Sequence, residues 1–131
     1  MKYTIGVSAI SETIQLLIVE DDKELISTLS EQLSDRGYGV STAEDGLKAI
    51  SLVNSKKFDL VILDLKLPKM DGFEVLRLIK ANFPETKVIV LTAYADLKNA
   101  EKCKQHGADD VIEKPYELGD LFDAISYLFS K

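Results

Sequence analysis

The chain has 131 residues, of which 46% are hydrophobic and 29% are charged, and its formal net charge is −6. This length suits one domain with a real core, and no apolar run approaches the roughly 20 residues of a membrane helix. The acidic chain lacks a basic stripe, so we expect neither direct nucleic-acid binding nor membrane insertion. With no convincing signal peptide and one cysteine, Cys103, we expect a cytoplasmic protein without an internal disulfide.

Five short apolar segments predict β-strands, and an amphipathic segment with helical spacing follows each of them. In chain order, the predicted strands are residues 16–19, 40–43, 58–64, 87–91 and 111–113. The predicted helices carry apolar residues at Leu25 to Leu33, at Leu47 to Val53, at Phe73 to Phe83, within about 96–106, and at Leu118 to Phe129.

This alternation predicts a doubly wound, three-layer α/β sandwich, because parallel strands require helical crossovers and those crossovers are right-handed. Residues 16–131 are predicted to form one domain. Residues 1–15 have weak strand character and no clear turn chemistry, so we expect an N-terminal tail or an added strand.

Polar groups follow four of the five predicted strands. In an open α/β sheet, ligands bind beyond the carboxyl ends of the strands, so these groups are expected to converge. They comprise three carboxylates, one hydroxyl and one ammonium: Glu20 and Asp21, Asp64, Thr92, and Lys114. Three adjacent carboxylates repel one another, and a hard cation such as Mg²⁺, with Mn²⁺ as an alternative, would resolve the repulsion. Together with the ammonium and the hydroxyl, the carboxylates suggest a phosphoryl site in which one carboxylate acts as the nucleophile.

Four motifs in this order resemble the receiver domains of two-component response regulators. They are Ile-Val-Glu-Asp-Asp at 18–22, Asp64 with Pro-Lys-Met-Asp-Gly at 68–72, Leu-Thr-Ala at 91–93, and Lys-Pro at 114–115. Each motif alone is weak, but the set is specific, and the resemblance runs from about Leu16 to the C-terminus. It implies a flavodoxin-like, five-stranded parallel sheet with strand order 2-1-3-4-5.

The resemblance also implies a role for each candidate site residue. Asp64 would accept a phosphoryl group from a histidine kinase or a histidine phosphotransfer protein, and the switched surface would bind a downstream effector domain or protein. Lys114 would pair with the phosphoryl group, Thr92 would move to hydrogen-bond it, and the Lys114–Pro115 peptide bond would be cis. The Mg²⁺ ligands would be Glu20, Asp21, Asp64 and the backbone carbonyl of Lys66.

Three positions bear on how this receiver would work. Val111 lies where the family often has an aromatic switch residue, so we expect the signal to pass through the loop after the fourth strand and its helix. Lys66 and Tyr94 lie two residues beyond Asp64 and Thr92, and their bulk predicts slow loss of the phosphoryl group.

Three other functions were weighed against this interpretation. A haloacid-dehalogenase-type phosphatase needs a second acid where this chain has Lys66. A nucleotide- or flavin-binding module needs a phosphate-binding loop after the first strand, where this chain has acids. A receiver-like domain that only binds partners stays open as an alternative, although the intact set of acids argues against it. We therefore expect a signalling domain that catalyses only its own phosphorylation and dephosphorylation.

Overall fold

The computed structural model describes residues 13–130, in which five strands alternate with five helices. The strands are β1 (Gln15–Val19), β2 (Gly39–Ala43), β3 (Leu60–Leu63), β4 (Lys87–Thr92) and β5 (Asp110–Glu113). The helices are α1 (Lys23–Asp35), α2 (Gly46–Ser55), α3 (Gly72–Asn82), α4 (Leu97–Gln105) and α5 (Leu118–Phe129). All ten predicted elements are therefore present, with boundaries that differ by at most two residues.

The strands form one parallel sheet in the order β2-β1-β3-β4-β5. The register places Leu17 opposite Val61, and Val61 opposite Val88, across the three central strands. This arrangement confirms the predicted fold class and strand order. The predicted tail or added strand falls mostly on residues 1–12, which lie outside the described residues, and Gln15 already belongs to β1.

Apolar side chains fill a layer on each face of the sheet, as expected for central strands that are buried on both sides. Alternate residues of β3 point to opposite layers, with Val61 and Leu63 in one and Leu60 and Ile62 in the other. All four of these side chains are buried. Cys103 of α4 is fully buried in the first layer, and burial raises the pKa of its thiol.

The helices begin at the edge of the sheet where the strands end. Side chains of aspartates cap four of them through backbone N–H groups: Asp22 for α1, Asp45 for α2, Asp71 for α3 and Asp96 for α4. Glu117 at the start of α5 makes no such bond. Capping thus accounts for many of the acids at this edge, which we call the carboxyl edge.

At the opposite edge, which we call the amino edge, carboxylates are paired within the fold. Asp109 Oδ2 accepts hydrogen bonds from Lys80 Nζ at 3.1 Å and from the Val88 N–H at 2.8 Å. Asp59 Oδ2 accepts one from the Gln15 N–H at 2.8 Å. These bonds connect α3, the strands β1 and β4, the α4–β5 loop and the residue just before β3.

Within residues 13–130, every helix is too short or too polar to span a lipid bilayer.

Candidate functional site

Glu20 follows β1 directly and is 4% exposed. Its Oε2 accepts hydrogen bonds from the backbone N–H groups of Asp21 and Asp22, both at 3.1 Å, and its Oε1 accepts one from Lys114 Nζ at 2.7 Å. Burial raises the pKa of Glu20 more than these bonds lower it, and the nearby charge of Asp64 raises it further. The carboxylate is thus held in position in an environment that disfavours its charge.

Asp64 follows β3 and is 8% exposed. Its backbone N–H donates to the Val19 carbonyl at 3.0 Å, so β1 fixes the residue where the strand ends. Its Oδ2 accepts a hydrogen bond from Lys114 Nζ at 3.2 Å, and its Oδ1 accepts one from the Lys66 N–H at 3.3 Å. The side chain therefore has a fixed orientation next to an ammonium group.

Lys114 joins the two buried acids, since its Nζ contacts both Glu20 and Asp64. Burial alone lowers the pKa of Lys114, but the hydrogen bond to Glu20 and the charge of Asp64 raise it above the ordinary value overall. The lysine is therefore a permanent cation at the centre of the site. The Lys114–Pro115 peptide bond is cis, as the resemblance implied.

The donor set fits a divalent cation. Carboxylate oxygens of Glu20, Asp21 and Asp64 all lie within 4.8 Å of one another, with Asp21 exposed and the other two buried. Oxygen ligands at such spacing, open to water on one side, suit Mg²⁺, which keeps part of its hydration shell. The ammonium of Lys114 balances only one of the three negative charges.

Thr92 ends β4 with a fully buried side chain. Its Oγ1 accepts a hydrogen bond from the backbone N–H of Tyr94 at 3.2 Å, and its carbonyl accepts one from the Lys114 N–H at 2.9 Å. The structure thus brings together the strand-end residues that the sequence singled out. Thr92 contacts the loop after β4, whereas the two acids contact Lys114 directly.

One contact in the site could not be foreseen. Lys66 Nζ donates to the Tyr94 hydroxyl at 3.4 Å and lies 5.8 Å from the centre of its ring. Both residues were predicted to flank the site, but no pattern links side chains 28 positions apart. Val111 is half-buried and, like Phe73, packs against the core layer that contains Val88 and Val90.

The loop between β3 and α3 is closed by a backbone bond from the Gly72 N–H to the Leu65 carbonyl, at 3.1 Å. A Cβ at Gly72 would overlap the backbone of Leu65, so only glycine fits. Lys69 in this loop has a φ of 72°, and its ammonium lies 3.6 Å from Asp45 at the start of α2. A left-handed lysine gives no sequence signal, so this tie between the loop and α2 was missed.

Comparisons with known proteins identify the family of the chain. Residues 16–126 match the family model of the response regulator receiver domain. The chain is 35% identical over 111 residues to the sporulation initiation phosphotransferase F of Bacillus subtilis (strain 168), covering 85% of this chain and 90% of that protein.

Two further similarities differ in coverage. The chain is 34% identical over 108 residues to the response regulator MprA of Mycobacterium sp. (strain KMS), covering 82% of this chain but only 47% of that protein. The crystal structure of a CheY-like response regulator receiver domain protein from Methanospirillum hungatei JF-1 superposes with a TM-score of 0.86 and 32% identity, covering 89% of this chain and 94% of that one. The chain therefore belongs to the response regulator receiver domains, the phosphoacceptor signalling domains of two-component systems.

Proposed function

We propose that Asp64 is the phosphoacceptor of this receiver domain and that a phosphohistidine is the donor. A carboxylate oxygen of Asp64 attacks phosphorus, the P–N bond of the phosphohistidine breaks, and the imidazole leaves with the electron pair of that bond. The observation that carries the proposal is the placement of Asp64 Oδ2 3.2 Å from Lys114 Nζ, with two further carboxylates alongside. Such a cluster combines a nucleophile with positive charge where negative charge develops.

The residues around Asp64 divide the remaining work. Lys114 keeps Asp64 oriented and is close enough to contact an oxygen of the incoming group. The Lys66 N–H holds the second oxygen of Asp64, and the Thr92 hydroxyl is available as a hydrogen-bond donor after rotation. Each of these groups favours extra negative charge at the site.

The proposed cation ligands are Glu20, Asp21, Asp64 and the Lys66 backbone carbonyl. When bound, Mg²⁺ or Mn²⁺ would neutralise the carboxylates and part of the charge on the phosphoryl oxygens. The three side chains support this assignment because their oxygens already lie within 4.8 Å of one another.

The proposed partners are a histidine kinase or a histidine phosphotransfer protein as donor, and a downstream effector domain or protein as receiver of the signal. The Bacillus subtilis relative is a phosphotransferase by name, which supports a role in phosphoryl transfer. The domain would catalyse only its own phosphorylation and dephosphorylation. We expect this exchange in the cytoplasm, where the ATP used by histidine kinases is available.

Transmission of the signal is proposed to begin at Thr92 and to continue through the loop that follows β4. The Tyr94 N–H is bonded to the Thr92 hydroxyl, so a rotation of Thr92 alters this loop directly. Val111 is too short to fill or leave an aromatic pocket, which supports a route through the loop and α4.

The test is labelling with acetyl phosphate in the presence of Mg²⁺, read as the gain of one phosphoryl group by intact mass. We expect wild type to be labelled and Asp64→Asn to stay unlabelled. Asp71→Asn is the matched control, because it removes a carboxylate from the same loop while the amide can still cap α3. We expect this control to be labelled like wild type.

Equal labelling of wild type and Asp64→Asn would reject Asp64 as the acceptor. Equal labelling of wild type in Mg²⁺ and in excess chelator would reject the role of the cation.

A further inference from the structure

Tyr94 makes two hydrogen bonds, one to Thr92 at the end of β4 and one to Lys66, which lies two residues after Asp64. Its backbone N–H donates to Thr92 Oγ1 at 3.2 Å, and its hydroxyl accepts from Lys66 Nζ at 3.4 Å. The Lys66 N–H is itself bonded to Asp64 Oδ1. The tyrosine side chain is 48% exposed, so these two bonds, rather than packing, define its position.

A shallow cavity of about 300 Å³, open to solvent on one side, lies beside Tyr94 and is lined also by Leu65, Lys66, Phe73 and Asn99. Phe73 packs against the core layer that contains Val88 and Val90, the β4 residues that share a sheet face with Thr92. The cavity therefore opens on the face to which Thr92 points.

We propose that Tyr94 is the aromatic switch of this domain: phosphorylation of Asp64 releases both of its hydrogen bonds, and its ring turns into the cavity between Phe73 and Asn99. The inference rests on the proposed function of Asp64. In this proposal the moving ring lies in the loop after β4, because Val111 on β5 has no ring to move.

The physical reason is that a phosphoryl group attracts both groups that hold Tyr94 and would move them away from it. A phosphoryl group on Asp64 carries close to two negative charges, and hydrogen bonds to a charged acceptor are about twice as strong as neutral ones. The Thr92 hydroxyl and the Lys66 ammonium are therefore both drawn towards the phosphoryl oxygens. Once released, the ring of Tyr94 gains by leaving water, because the cavity offers apolar contact with Leu65 and Phe73.

The experiment uses fluorine NMR of protein labelled with 3-fluorotyrosine. The chain has five tyrosines and no tryptophan, so each resonance can be assigned by a Tyr→Phe variant. Tyr127, at 81% exposure on α5, is the internal reference. Spectra are recorded with a soluble nitroxide before and after phosphorylation by acetyl phosphate and Mg²⁺, and intact mass gives the phosphorylated fraction of each sample.

We expect the Tyr94 resonance to shift and to lose at least half of its nitroxide broadening on phosphorylation, while that of Tyr127 stays unchanged. Asn99→Phe fills the cavity but leaves the cap of α4 intact, because Asp96 bonds the backbone N–H of residue 99. In that variant we expect normal phosphorylation and a Tyr94 resonance that remains broadened.

An unchanged Tyr94 resonance in fully phosphorylated wild type would overturn the switch and leave the role of Asp64 standing. Loss of broadening in Asn99→Phe equal to that in wild type would overturn the cavity as the destination of the ring. Absence of any mass gain in wild type would reject the proposed function, and the switch with it.

Discussion

Both edges of the sheet carry acidic residues, but the partners of their carboxylates differ. At the amino edge, Asp109 has its own ammonium partner, Lys80, and a backbone N–H, while Asp59 bonds the backbone of β1. At the carboxyl edge, three carboxylates lie together around the single ammonium of Lys114. The Asp109–Lys80 pair of the amino edge is balanced in charge, whereas the three carboxylates of the carboxyl edge outnumber the one ammonium that contacts them.

This difference separates an edge that stabilises the fold from one that is prepared for a ligand. A balanced pair gains nothing from an added ion, while a surplus of carboxylates binds a cation and is relieved by it. Acids that look alike in the sequence should therefore respond in opposite ways to the same substitution.

The largest effect is expected when the same substitution, aspartate to asparagine, is made separately at each edge and the two variants are compared. Asp109→Asn should lower the free energy of unfolding by about 2 kcal/mol, because Lys80, only 16% exposed, loses its counter-charge. Asp64→Asn should leave stability within about 1 kcal/mol or raise it, because one of three repelling charges is removed. Urea unfolding without divalent cations measures both. Equal losses at the two edges would contradict the contrast.

Added Mg²⁺ should stabilise the domain through the carboxyl edge alone. At ten times the dissociation constant, one site that binds only the folded state adds about 1.4 kcal/mol. Urea unfolding with Mg²⁺ and with chelator measures this difference. Asp109→Asn should keep the full increment, whereas Asp21→Asn should lose most of it. An increment that survives in Asp21→Asn would place the cation elsewhere.

Within the carboxyl edge, Tyr94 is expected to protect the phosphoryl group from water. Tyr94→Ala should speed its loss by about threefold, or ~0.7 kcal/mol in the barrier, because without the ring water can approach the site through the cavity beside Leu65 and Lys66. Decay of the phosphorylated mass after removal of acetyl phosphate gives the rate. Tyr127→Ala removes an exposed ring of α5 and should decay like wild type. Faster decay in wild type than in Tyr94→Ala would refute the shielding.

The last two changes concern helix caps at the carboxyl edge, which are acids with a structural role, and one of them, at Glu117, has the smallest expected effect. Glu117→Ser should raise the free energy of unfolding by about 0.5 kcal/mol, because serine can accept the bond that glutamate does not make at the start of α5. Asp96→Ala should lower it by about 1 kcal/mol by removing the cap of α4. Urea unfolding of both variants should give opposite signs, and a loss in Glu117→Ser would show that α5 gains nothing from a cap.

Much of the fold was predictable because the strands are short and apolar on both faces. Runs such as 60–63 bury every side chain, so composition alone marks them as central strands. The convergence of Glu20, Asp64 and Lys114 followed from the rule that parallel strands end at one edge. Strand order came from the family resemblance and was confirmed.

What could not be predicted depends on contacts between distant side chains. The Lys80–Asp109 pair joins residues 29 positions apart, and neither lies in a motif. The Glu20 carboxylate accepts hydrogen bonds from two backbone N–H groups and from Lys114. These bonds depend on the geometry of the turn after β1, which no residue pattern encodes. The bond between Lys66 and Tyr94 has the same origin, since two loops meet there.

The backbone bond between Leu65 and Gly72 has a consequence for protein engineering. It fastens the two ends of the β3–α3 loop to each other, so the six residues between them form a closed module on a fixed base. Residues 66–71 could be exchanged for the corresponding loop of another receiver without moving Asp64, provided that glycine is kept at 72. The chemistry around the acceptor could then be varied independently of the sheet that supports it.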